Sequence, residues 1–149
     1  MINIPRHNKF SKKAQRGPKI DFTPKVRYQS HPFYKNAPWR TLRSKYIKIL
    51  SEQQMEFLET INPADAIILE GKIPICEKCL SLYKSGRRKA DQLLSGKIVD
   101  HINPVNPENP LDSRGFGEPL DMENNQLLCH SHHQKKTARD QQILKRKKL

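Results

Sequence analysis

Two pairs of potential metal ligands with the same two-residue gap, Cys76-Glu77-Lys78-Cys79 and Cys129-His130-Ser131-His132, constrain this chain more than anything else in it. Both members of such a pair turn toward one tetrahedral ion, and thiolate with imidazole suits Zn²⁺. A closed structural zinc site is therefore expected, stapling two stretches that lie far apart in sequence. His132 is preferred as the fourth ligand because it keeps the gap; His130, directly beside Cys129, reaches the same ion only with strain. A lone CxxC is also a redox motif, but the second matched pair argues against that reading. The chain needs the site, because 149 residues with 35% hydrophobic content and a mean hydropathy of -0.83 make a small core. Three cysteines cannot all pair as disulfides and no signal peptide precedes them, so a reducing cytoplasm is the expectation. The longest aliphatic run, Ala66 to Leu69, is far short of the roughly 20 residues that cross a bilayer, and a soluble protein is expected.

Net charge is +13, divided unevenly: +12 over residues 1 to 48, -5 over 49 to 128 and +6 over 129 to 149. Basic ends around an acidic middle favour a polyanionic partner. Nucleic acid comes first and anionic membrane a distant second, because the basic runs lack an apolar stripe for insertion. The plain alternative is that basic tails only aid solubility.

Residues 1 to about 30 combine Pro5, Pro18 and Pro24 with scattered Lys and Arg and show no period, which predicts a disordered basic arm. Pro38 after Asn36 opens a predicted helix to Leu50, with Trp39, Leu42, Tyr46, Ile47 and Leu50 on one face. Trp39 on that stripe reads as a core anchor rather than a base-stacking residue. Ser51 with Gln54 suggests a capping box for a second helix to about Thr60, and Asn62-Pro63 a third. Met55, Leu58, Ile67 and Ile68 are then packing residues.

A second constellation follows the first cysteine pair. Asp100 and His101 come after the β-branched Ile98 and Val99, which suit a strand, and Pro104 ends any ladder. Neighbouring strand residues point to opposite faces, so the two serve one site only where the strand ends or bends. Ser131 with Gln134 reads as the cap of a last helix, putting His132 and His133 in its first turn about 100° apart. The free N–H groups and positive dipole end of that turn can receive a phosphate. Lys135, Lys136 and Arg139 just beyond it are read as phosphate contacts slightly ahead of a solvated face. The long Gly/Pro-rich stretch from Asn103 to Asp121 suits the lining of a substrate groove.

Taken together, GKIVDHINP, a polar loop and NNQLLCHSHHQKKT, from Gly96 to Thr137, closely resemble the HNH family of endonucleases. FYKNAPWRTLR also resembles the FYxxxxWRxLR stretch that precedes the zinc knuckle in many phage HNH proteins. The phage sequences usually carry Cys where this chain has His132. The resemblance covers about two thirds of the chain. It implies an α+β fold, a ββα-metal (His-Me finger) unit over about 76 to 145 inside a nuclease domain over 31 to 149, with flanking helices and a structural zinc knuckle.

By the same resemblance the protein is a DNA endonuclease acting on a duplex. Its catalytic ion is Mg²⁺ or another divalent ion such as Mn²⁺ or Ni²⁺, held by Asp100 and His133. His101 is then the general base, Asn124 holds that imidazole, and the products carry 5′-phosphate and 3′-hydroxyl ends. One alternative is a zinc-stabilised DNA-binding module without catalytic activity. Another is an RNA-binding or ribosome-associated zinc protein, which accounts for the charge and the knuckle but not for Asp100, His101 and His133 together.

Overall fold

Asn36 starts the first helix. Its side-chain oxygen accepts the Trp39 N–H at 3.1 Å, Pro38 occupies the first turn, and α1 runs over Ala37–Leu58. The computed structural model describes residues 31–148, so the basic arm expected over 1–30 lies outside the described residues. The spacing of Ser51 and Gln54 predicts a break in α1 at Ser51, and the structure corrects it. The Ser51 hydroxyl donates to the Ile47 carbonyl at 2.8 Å instead of capping a new helix, and the strong helix formers that follow let the helix continue. Asn62 does cap α2 (Pro63–Glu70), its oxygen accepting the Asp65 N–H at 2.9 Å. A short helix α3 (Glu77–Lys84) then begins at Cys76.

Strands β1 (Ile98–His101) and β2 (Asn125–Leu128) pair antiparallel, with Asp100 opposite Gln126 and His101 opposite Asn125. Only Cys129 separates β2 from the last helix, α4 (His130–Lys147). The described residues thus form an α+β unit of four α-helices and one two-stranded sheet, in which hairpin and helix are consecutive.

The two faces of the hairpin belong to two cores, as the period of two requires. Val99 and Leu127 pack with Phe33, Trp39 and Leu50, and the partly buried Leu42, Tyr46 and Ile47 join them. Leu128 faces the other way, into a cluster of Leu58, Leu69, Ile75, Leu80, Leu93 and the three cysteines. Leu69 and Leu93 are fully buried there, a contribution of roughly 1.5–3 kcal/mol each. Trp39 is thus a core anchor, and Leu58 packs as expected. Met55, Ile67 and Ile68 do not, at 44%, 74% and 41% exposed. α2 is only two turns long, and Leu69 near its C-terminal end is its one buried residue.

Two side chains tie α1 to the rest. The buried Gln54 amide brackets Ile75, donating to its carbonyl at 3.0 Å and accepting its N–H at 2.7 Å. The Glu77 carboxylate accepts the Tyr46 hydroxyl at 2.5 Å and the Leu127 N–H at 2.6 Å, occupying the outer edge of β2 that would otherwise lie unpaired. Among the described residues no helix is long and apolar enough to cross a membrane.

Candidate functional site

Cys76, Cys79, Cys129 and His132 are all buried, and their ligand atoms lie within 4.8 Å of one another, close enough to hold one metal ion. His132 Nδ1 is 3.3 Å from Cys76 Sγ, 3.5 Å from Cys79 Sγ and 3.3 Å from Cys129 Sγ. A single imidazole nitrogen satisfies one hydrogen bond, not three. A tetrahedral zinc with bonds of roughly 2.3 Å to sulfur and 2.0–2.1 Å to nitrogen requires S···N edges of about 3.6 Å. The donor set therefore fits zinc, and the residue at this corner is His132, as the gap predicted. His130 is exposed.

Burial, backbone N–H groups and nearby cations act differently on the members of the cluster. Burial pushes the Cys76 thiol up to about 12, so without a cation this sulfur stays protonated. Burial acts the same way on Cys129, but the His132 N–H, the neighbouring Cys76 and Cys79 thiols and the Ser131 N–H together outweigh it and lower that thiol. Burial also lowers His132, helped by Arg88, Lys135 and Lys78, which keeps the imidazole neutral as a metal ligand must be. The Arg88 guanidinium donates to Cys79 Sγ at 3.4 Å. Nothing in the sequence singled Arg88 out.

α4 begins earlier than the capping signature indicated. Cys129, not Ser131, is its N-cap residue, so His132 and His133 are its third and fourth residues, still about 100° apart. His133, Lys136 and Asp140 share one face of the helix by their three- and four-residue spacing. That face is turned to β1, because Lys136 Nζ lies 3.2 Å from Asp100 Oδ2 and also contacts the Asp140 carboxylate. Asp100 and the face carrying His133 are thus on the same side of the hairpin, with the Lys136 ammonium between the Asp100 and Asp140 carboxylates. Lys136, whose side chain is only 11% exposed, is not the free phosphate contact expected from the sequence. Two carboxylates within reach neutralise it. Lys135 and Arg139 are exposed, and with Lys78, Gln126, Asn103 and Pro104 they border a cleft of about 420 Å³ between the hairpin and α4.

His101 points to the opposite face from Asp100, as strand alternation demands. Its ring lies 4.8 Å from that of Trp39 and 6.2 Å from that of Tyr34, centroid to centroid, and the residue is 3% exposed. Nε2 lies 2.9 Å from the Pro119 carbonyl, an acceptor only, so Nε2 carries the proton and Nδ1 the lone pair. Burial lowers the His101 pKa and so does the charge of Lys136; the Pro119 carbonyl and Asp100 work against it, and burial wins.

Asn124 does not grip the imidazole, contrary to the role the resemblance assigned. It clasps the loop instead, accepting the Asn103 N–H at 2.8 Å and donating to the carbonyls of Asn103 and Glu118 at 3.2 and 3.0 Å. Since Glu118 precedes the Pro119 that bonds His101, Asn124 positions the ring at one remove. Gly117 makes the clasp sterically possible: a Cβ there would stand 2.2 Å from the Asn103 oxygen and 2.6 Å from Asn124 Nδ2. The Asn103–Asp121 loop then docks on the far end of α4, where Lys147 donates to the Gly115 carbonyl and lies over the Phe116 ring. Asn125, directly opposite His101, was not foreseen; its buried Oδ1 has no partner among the described residues. No family model, curated protein or solved structure matches this chain.

Proposed function

We propose that this chain is a divalent-metal-dependent DNA endonuclease of the HNH type, built on a ββα-metal unit and stapled by a structural zinc. The observation that carries the reading is the opposition of Asp100, at the end of β1, to the α4 face that bears His133. Both are potential ligands of one hard cation, and the Lys136 ammonium beside Asp100 marks the spot as one that favours positive charge. Asp100 and His133 would hold a divalent ion there, and it would supply Lewis-acid stabilisation of negative charge developing on the scissile phosphate and the departing 3′ oxygen.

His101 is the general base in this reading. Its neutral form, with the proton on Nε2 and the lone pair on Nδ1, is the state that takes a proton from water. Pro119 fixes that tautomer, and Asn124 with Gly117 fixes Pro119. Asp100 and His133 hold the ion; Lys135 and Arg139 receive backbone phosphates along the cleft.

A second reading has a specific observation in its favour. His101 is 3% exposed beneath Trp39 and Tyr34, and Asp100 is already paired with Lys136, an arrangement also suited to a zinc-stabilised DNA-binding module without hydrolysis. Incubating supercoiled plasmid with the purified protein, with and without Mg²⁺, Mn²⁺ or Ni²⁺, separates the two. Nicked or linear DNA appearing only with divalent metal, and lost in Asp100→Ala, supports the nuclease. Intact plasmid under all metals, with retained binding, overturns it in favour of the module.

A further inference from the structure

The turn over Pro32–Lys35 and the start of α1 border an open concavity of about 390 Å³ lined by Tyr34, Lys35, Trp39, Arg40 and Arg43. Its chemistry is one-sided: three cations and two aromatic rings, with no carboxylate. Lys35, Arg40 and Arg43 are exposed, and none forms an ion pair among the described residues. The first acidic residue of α1 is Glu52, more than two turns beyond Arg43. Arg40 and Arg43 are neighbours on one helix face, so their repulsion goes uncompensated in the isolated chain. An anion with several oxygens would relieve it, and paired guanidinium forks suit the tetrahedral oxygens of a phosphate. A solvated helix face would account for the arginines alone, but not for their convergence with Lys35 on a concavity walled by aromatic rings.

The position of this cavity matters as much as its charge. Its wall residue Trp39 packs on the His101 ring at 4.8 Å between centroids, and Tyr34 lies 6.2 Å from the same ring. One layer of aromatic side chains therefore separates the cations from the imidazole assigned as general base. We propose that Lys35, Arg40 and Arg43 form a phosphate subsite for duplex DNA, receiving a backbone phosphate that flanks the one to be hydrolysed. The proposal rests on the DNA reading above and adds to it a contact on the α1 side of the hairpin, across from the cleft along α4.

Trp39 is the only tryptophan of the chain, so its emission reports on the wall of this concavity and the core directly behind it. The experiment titrates full-length zinc-loaded protein with a short mixed-sequence DNA duplex in buffer without Mg²⁺, Mn²⁺ or Ni²⁺, at several salt concentrations, and assays plasmid cleavage of the same preparations with Mg²⁺. The expected result is a change of Trp39 emission on binding. Arg40→Gln with Arg43→Gln should abolish that change and flatten the slope of log affinity against log salt by about 0.9, the value for one phosphate no longer neutralised. Lys48→Gln, on the same helix outside the cavity, should leave slope and emission as in wild type. An unaltered slope in the double variant, with wild-type cleavage, overturns the subsite and leaves the nuclease standing. A reduced slope without cleavage by any form keeps the subsite and removes the nuclease. Wild-type protein that neither binds nor cuts DNA overturns both.

Discussion

Cys76 and Cys129 occupy the same position of two different helices. Each is an N-cap residue, and its partner ligand, Cys79 or His132, is the third residue of α3 or α4. The two-residue gap in sequence is therefore one local geometry used twice. N–H groups at the two helix starts lower the Cys76 and Cys129 thiols, against a burial that still wins at Cys76. One zinc per chain is the expected content by elemental analysis, and Cys129→Ser should lose both metal and cooperative thermal unfolding. His132→Cys should keep the metal, since the corner is unchanged, whereas His132→Ala should bind it weakly. A chelator-washed, metal-free protein that melts like the untreated one would remove zinc from the fold.

Gln54 should be a stability residue although it looks like an ordinary polar position of a helix. Removing its amide leaves the Ile75 N–H and carbonyl buried and unpaired, at roughly 1–3 kcal/mol each, so Gln54→Ala should cost about 2–6 kcal/mol in urea unfolding. Its exposed neighbour Gln53, replaced the same way, should change stability by no more than about 0.5 kcal/mol. Equal losses in the two variants would mean that the bracket contributes nothing.

The contrast between these two sites says what the sequence makes legible. The metal corner repeats a local spacing, and local spacing can be read directly. Gln54 and Glu77 act through partners 21 and 50 residues away, and no periodicity carries that information. Ser51 with Gln54 had the form of a cap but lay inside a run of helix formers whose apolar stripe continues through Leu58, and packing of that stripe overrode the local signal. The strand ending at His101 followed from Ile98 and Val99. That Lys136 would face Asp100 rather than solvent depended on the approach of α4 to the hairpin, which three cations close together in sequence do not disclose.

Gly117→Ala tests whether the loop clasp matters. A methyl group at 2.2 Å from the Asn103 carbonyl must displace backbone, so the Asn124 bonds and the Pro119 contact to His101 should loosen, at a cost of about 1–3 kcal/mol. Gly115→Ala, by contrast, meets no neighbouring atom and bears only the strain of its positive φ of 73°. Crowding should make cleavage fall further in Gly117→Ala than in Gly115→Ala at matched folded fractions. The reverse order would disconnect the clasp from the site.

Lys136 stands where a divalent ion on Asp100 would feel it. Replacing the ammonium with an uncharged chain of similar length removes a repulsion at close range, so Lys136→Met should tighten Mn²⁺ binding severalfold to tenfold by calorimetry. Asp100→Asn should abolish the same binding. Unchanged Mn²⁺ affinity in both variants would separate Asp100 from any metal.

His101 and His133 should fail differently if one is a base and the other a ligand. His101→Ala should abolish cleavage while Mn²⁺ affinity stays near normal, because a neutral base holds neither the ion nor the duplex. His133→Ala should weaken Mn²⁺, and excess metal should restore part of its rate, whereas no metal concentration rescues the base variant. The pH profile carries the sign of the environment. Burial places the His101 pKa below its ordinary 6.5, and a cation on Asp100 would push it the same way. The imidazole is then already neutral at pH 7, so the rate should rise with pH only below about 6.5 and lie level above it. Loss of His101 should remove that acidic limb along with the activity. A rate that still climbs in proportion to hydroxide between about pH 7 and 8, or substantial cleavage by His101→Ala, would assign the proton transfer to another group.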